Sequence, residues 1–255
     1  MSDQTHCDAY VLCSTPRSGT TLTCDLLRQT GVAGAPDSFF RQKSLADWCQ
    51  SWGIADPPQP EDETFSHAYF QAMKSAGRQG TDRFGLRLMG PDLTYACNWL
   101  ARMHPSARTD RARFDAAFGV TRYIHLTRTD KLAEAISYLR AEQTGLWHSA
   151  PDGGDIERIP PTEPDGFDAA RITERMTMLR TYDELWPRWF DAQGIVPLRV
   201  TYEALSADPL TVLRKILLYI GKDPDCANHV TPGTRKLADE TSVAWIAEYR
   251  RRHSA

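Results

Sequence analysis

"AYVLCSTPRSGTTLTCDLLRQ" (residues 9–29) decides the fold. The apolar run 9–13 has the length and composition of a buried strand, and "LTCDLLRQ" has the pattern of a helix. Between them lies a turn of small residues around Gly19. Such a strand–turn–helix points backbone N–H groups and the positive end of a helix at one spot, which makes an anion site. The nucleotide-binding pattern GxxxxGK[ST] adds a lysine for the outer phosphates and a hydroxyl for Mg²⁺. With Gly19 set on the second glycine of that pattern, Ser14 takes the first position and Thr20 stands where lysine belongs. The ammonium that bridges β- and γ-phosphates is therefore missing. A cation enters inside the loop instead, as Arg17, with Ser18, Thr20 and Thr21 around it. That set suits a short, singly bridged anhydride better than a triphosphate–magnesium complex. An ordinary turn built of small residues is the plainer alternative at this point.

Further along, "FGLRLM" (84–89), "YIHLT" (123–127) and "VPLRVTY" (196–202) are also short apolar runs of buried-strand type. Helical patterns alternate with them. "KLAEAISYLR" spaces Leu132, Ala135, Ile136 and Leu139 on one face, and residues 168–190 do the same with Ile172, Met176, Leu179 and Trp186. A third helix opens at "SADP", where Asp208 can cap it, Pro209 takes its first position and Gly221 stops it. Strands alternating with helices predict an α/β protein with a central parallel sheet, its ligands at the carboxyl ends of the strands. One domain over residues 1–255 fits this length. Two segments interrupt the alternation: "GIADPPQPEDET" (53–64) and the Pro/Gly/Asp stretch 150–167. The second is either an acceptor-site lid or loop, or a solvated linker.

The composition narrows the partners. The 255 residues are 41% apolar and 25% charged, with net charge −3, so no overall positive field draws nucleic acid or an anionic membrane. The cysteines at 7, 13, 24, 49, 97 and 226 form no CxxC pair, which suits reduced thiols in a cytoplasmic protein. The N-terminus is polar, unlike a signal peptide, and no stretch approaches the roughly 20 apolar residues of a membrane span.

Two separate motifs then carry a resemblance. "STPRSGTTL" resembles the 5′-phosphosulfate loop of sulfotransferases that use 3′-phosphoadenosine 5′-phosphosulfate (PAPS), which implies donor contacts from Arg17, Ser18, Gly19, Thr20 and Thr21. After the strand "YIHLT", "RTDKLAEAIS" resembles the 3′-phosphate motif of the same enzymes, which implies Arg128 and Ser137 on that phosphate. A guanidinium fork suits a phosphate chemically. "VTYEALSADPLTVLRKILLYIG" looks like their C-terminal scaffold, so Tyr202 and Glu203 are expected to be structural. "TGVAGAPDSFF", "SYLRAEQTGLWH" and "KLADETSVAWIAEYRRR" extend the likeness, from about residue 9 onward, to the bacterial trehalose 2-sulfotransferase family. It implies a P-loop-like sulfotransferase fold, PAPS as donor and PAP as product, no metal, a carbohydrate or glycolipid acceptor and a homodimer.

The likeness breaks at the base. In that family a glutamate just before the "FF" pair is taken as general base, and here the position is Ser38, with Ala35 at a second acidic position. Asp37 is one residue off register. Three accounts stand: Asp37 substitutes for it; Glu142, His148 or His125 acts; or the protein has little activity or an acceptor that needs no strong base. Asp37, Phe39, Phe40 and Trp147 are candidates to line the acceptor pocket, although the phenylalanines equally suit a core. Arg87 at a strand end, and Arg235 and Lys236 in the basic tail, are candidates to complete the site; clustered charge also suits a solvated face. Two rival classes remain open here. A P-loop kinase or nucleotide hydrolase needs the lysine and an acidic Mg²⁺ ligand; a non-catalytic PAP- or carbohydrate-binding protein needs no base.

Overall fold

Four parallel strands in the order β2–β1–β3–β6 form the central sheet of the computed structural model. The structure describes residues 6–54, 58–149, 155–232 and 240–253, with residues 148–149 and 155–158 as backbone only. The first half runs β1 (Ala9–Ser14), α1 (Thr20–Gln29), α2 (Leu45–Trp52), α3 (Glu63–Arg78), β2 (Phe84–Met89), α4 (Leu93–Met103), α5 (Asp110–Phe118) and β3 (Thr121–Thr127). The second half runs α6 (Lys131–Thr144), β4 (Leu146–Ser149), β5 (Asp155–Arg158), α7 (Ala169–Gln193), β6 (Leu198–Thr201), α8 (Tyr202–Ala207), α9 (Pro209–Tyr219) and α10 (Glu240–His253).

Successive side chains of a strand point to opposite faces, and both faces of this sheet are covered. Ala9, Val11 and Cys13 of β1 join an aromatic core with Phe84, Trp99, Phe118 and Trp186. Tyr10 and Leu12 join the opposite core with Leu26 and Leu27 of α1 and Leu213 and Leu217 of α9. Two-sided burial is why β1 is continuously apolar rather than alternating. None of the described helices is long and apolar enough to cross a membrane.

The register fixes where the site lies. Ser14 stands opposite Met89 on one side and Leu126 on the other, so β1, β2 and β3 end together at one edge of the sheet. The expected strand 196–202 shrinks to Leu198–Thr201, because Thr201 caps α8 by accepting from the Ala204 N–H. Asp208 and Pro209 open α9 as the sequence predicts, and Gly221 follows it at φ 74°.

Stretch 150–167 departs from the expected loop. Residues 155–158 form β5, antiparallel to β4. The Thr162 N–H donates to the Glu142 carbonyl and Gln143 donates to the Gly166 carbonyl, docking residues 162–166 on α6. The strand escaped notice because it is four residues long with a single apolar residue.

Candidate active site

The loop after β1 is shaped by two left-handed residues, Arg17 at φ 68° and Gly19 at φ 91°. Left-handed turns within a short loop aim successive N–H groups into one concavity, which suits an anion. Gly19 is required twice over. A Cβ there would sit 2.8 Å from the Tyr202 ring and 3.0 Å from Leu205.

Polar contacts fix the underside of the loop. Ser14 Oγ donates to the Leu126 carbonyl at 2.5 Å and lies 2.6 Å from Ser18 Oγ. Trp186 Nε1 of α7 donates to the Ser14 carbonyl at 3.0 Å. Thr15 Oγ1 donates to Glu134 of α6 at 2.6 Å. Glu134 is 0% exposed and also accepts from Lys131 at 2.8 Å, while Lys131 reaches Asp183 of α7 at 2.9 Å. Burial pushes the Glu134 carboxyl up, against the opposing pull of Lys131 and Thr15.

Above this base the predicted donor residues converge. Arg17 Nε donates to Ser137 Oγ at 3.1 Å, and its Nη1 donates to the Trp147 carbonyl of β4. Arg128, 8% exposed, donates from Nη1 to the Arg17 carbonyl at 3.2 Å and lies 4.4 Å from the centroid of the Tyr202 ring. Its Nε is buried without a hydrogen-bond partner among the described residues. An unsatisfied guanidinium donor beside a left-handed loop fits an oxyanion such as a phosphate. Residues Arg17, Ser18, Gly19, Thr20, Thr21, Arg128 and Ser137 thus share one edge of the sheet. Arg235 and Lys236 lie outside the described residues.

Beside the loop, Arg87 of β2 ties three pieces together. Its Nη2 donates to Asp37 Oδ1 at 2.8 Å, its Nε to Ser38 Oγ at 2.8 Å and its Nη1 to Thr21 Oγ1 at 3.4 Å. Asp37 Oδ1 also accepts from the Ser38 N–H at 2.7 Å. The Asp37 carbonyl accepts from the Arg87 N–H at 3.0 Å, which pins this segment to the sheet edge.

Several expected acceptor residues are placed otherwise. Phe39 and Phe40, 1% and 0% exposed, are core residues: Phe39 packs on Trp48 and Phe40 on Trp99. Neither has a free ring face for a sugar, which corrects their reading as substrate-binding. Glu142 is held by Arg175 of α7 at 2.8 Å. His125, 3% exposed, lies against Phe190, and burial holds its imidazole down at about 4. It is a neutral core residue rather than a base. Trp147 gives its carbonyl to Arg17 and packs edge-on against Tyr138 at 5.3 Å. The side chain of His148 lies outside the described residues.

Three residues at this edge were not singled out as site residues from the sequence. Tyr202, expected to be scaffold, bounds Gly19 and faces Arg128. Glu134 anchors the loop from beneath. Asp92, half-buried in the turn after β2 and at the N-cap of α4, makes no side-chain capping hydrogen bond, and burial pushes its carboxyl up to about 6. A carboxylate three residues beyond a strand's end was the only available signal.

The loop carries Thr20 where the nucleotide-binding lysine belongs and an arginine, Arg17, within the turn, and the class is that of enzymes transferring sulfuryl groups. Residues 9–252 match the Stf0 sulphotransferase family model, and the chain belongs to that family. It is 30% identical over 272 residues to trehalose 2-sulfotransferase of Mycolicibacterium smegmatis, covering 98% of this chain and 97% of that protein. It is 27% identical over 260 residues to trehalose 2-sulfotransferase of Mycobacterium tuberculosis, covering 94% of each. Kinase, nucleotide hydrolase and non-catalytic binding module are set aside by this membership.

Proposed function

We propose that the protein moves a sulfuryl group from PAPS to a hydroxyl of a carbohydrate or glycolipid, with trehalose the first acceptor to test. The observation that carries the donor reading is the buried Nε of Arg128, without a hydrogen-bond partner among the described residues, beside the Arg17 loop. The acceptor reading rests on the two relatives named for trehalose. PAPS supplies the sulfuryl group and, as its leaving group, adenosine 3′,5′-bisphosphate.

Each residue has a defined task in this reading. Arg128 and Ser137 hold the 3′-phosphate, and Tyr202 walls that side. The loop N–H groups with Thr20 and Thr21 receive the 5′-phosphosulfate. Arg17 faces the bridging oxygen on which charge develops, so its stabilisation grows during transfer. Arg87 steadies Thr21 and the Asp37–Ser38 segment from the acceptor side. No covalent enzyme intermediate is needed, because positioning and charge stabilisation serve an in-line displacement.

Calorimetry with adenosine 3′,5′-bisphosphate and transfer of labelled sulfate to trehalose and other sugars test the reading. Arg17→Ala is expected to lower kcat roughly 10²–10³-fold with circular dichroism unchanged. Wild-type turnover in that variant removes Arg17 from the mechanism. A protein that ignores the bisphosphate and binds ATP with magnesium overturns the whole reading.

A further inference from the structure

We infer that the Asp92 carboxylate takes the proton from the acceptor hydroxyl during sulfuryl transfer. This rests on the function proposed above and supplies the base that Ser38 cannot.

The argument starts from the sheet. β1 and β2 are parallel neighbours whose last residues, Ser14 and Met89, stand side by side. The phosphosulfate loop leaves β1 at that edge, and the turn Gly90–Asp92 leaves β2 beside it. Gly90 fits the turn closely against α7: a Cβ there would be 3.1 Å from Tyr182. Arg87, earlier on β2, already reaches the loop through Thr21. Asp92 therefore lies in the turn that follows the strand end beside the loop, within the electrostatic reach of Arg87, which holds the Asp37–Ser38 segment.

The other carboxylates and the buried histidine are engaged elsewhere. Asp37 Oδ1 holds Arg87 and the Ser38 N–H. Glu142 holds Arg175, and His125 is buried in the core. Asp92, by contrast, is half-buried at the N-cap of α4 and its carboxylate makes no capping hydrogen bond there. The charges that act on it are those of Arg41, from the segment before α2, and Arg87 of β2, while Tyr182 of α7 packs on Gly90 of its turn. Both arginines lower its proton affinity, yet burial prevails and leaves the carboxyl at about 6. A base poised near the working pH combines the ionised form with useful proton affinity.

The step balances. The acceptor O–H bond breaks and its proton passes to Asp92. The acceptor oxygen forms the new S–O bond, and the S–O bond to the donor phosphate breaks, its electron pair leaving on the bridging oxygen. Asp92 then returns its proton to water.

The test compares Asp92→Asn and Asp92→Ala with Asp37→Asn in the full-length protein. It reads kcat against pH, bisphosphate affinity by calorimetry, and the Asp92 carboxyl titration by ¹³C NMR. The expected result is a kcat loss of roughly 10²–10³-fold in both Asp92 variants with bisphosphate affinity unchanged. Wild-type kcat falls as pH drops through about 6, the NMR titration shows the same midpoint, and the variants lack both signals. Wild-type turnover in Asp92→Asn, or loss confined to Asp37→Asn, overturns the inference while leaving the sulfotransferase reading intact. A wild-type protein that binds no bisphosphate and sulfates no sugar overturns that reading, and the base with it.

Discussion

Gly19 and Arg17 share a left-handed backbone at unequal cost. Glycine adopts φ 91° freely, whereas a non-glycine residue held in that region stores roughly 1–3 kcal/mol. Such strain persists at Arg17 because Ser137 and the Trp147 carbonyl hold its side chain. Gly19→Ala adds a methyl to both the wrong φ and the Tyr202–Leu205 wall. The expected loss is about 1–3 kcal/mol in a denaturant titration, together with at least tenfold weaker bisphosphate binding by calorimetry. Equal affinity would mean that the loop tolerates a different path. Arg17 stood out in the sequence as the cation inside the loop, whereas Arg128 and Ser137 were expected only through the resemblance of "RTDKLAEAIS" to a 3′-phosphate motif. Asp92 was not legible there, since the packing of its turn, with Gly90 against Tyr182, comes from a residue distant in sequence.

At the scale of elements, α6 does two jobs with two stripes. Its apolar stripe, Ala135, Ile136 and Leu139, packs inward and was readable from periodicity. Lys131, Glu134 and Ser137 recur every third position and face the loop, a polar pattern with no separate sequence signature. The β4–β5 hairpin docks beyond the same helix through Gly145, at φ 71°, where a Cβ would collide with the Ile159 carbonyl. Gly145→Ala is therefore expected to displace the hairpin and with it the Trp147 carbonyl that holds Arg17. A kcat loss of at least tenfold with the far-ultraviolet spectrum unchanged is the outcome to measure. Full activity would detach the hairpin from catalysis. Pro/Gly/Asp composition concealed this element, because its stability comes from docking rather than from its own apolar residues.

For the whole molecule, half-buried Asp92 and buried His125 titrate in opposition. Unfolded, Asp92 ionises near 3.8; folded, near 6. Raising the pH through that window releases a proton from the unfolded chain first, so it costs stability, about 2 kcal/mol after allowance for partial solvent access. His125 ionises near 6.5 unfolded and near 4 folded. Lowering the pH through that window protonates the unfolded chain first and costs about 3 kcal/mol. The two slopes nearly cancel between pH 4 and 6. Asp92→Asn removes one of them: at pH 7 its denaturation midpoint is expected to exceed wild type by about 2 kcal/mol in stability, with no difference near pH 4. Identical stability curves would show that Asp92 is solvated. The sheet itself was the most legible feature, since strands covered on both faces must be continuously apolar, and "AYVLC", "FGLRLM" and "YIHLT" are nearly so.

The contact between Arg17 and the Trp147 carbonyl gives the site an optical consequence. An anion that draws the guanidinium away loosens the backbone beneath an indole whose ring rests on Tyr138. Occupancy of the loop is thereby written into the emission of a tryptophan, and a Trp147→Phe difference spectrum isolates that fluorescence from the rest.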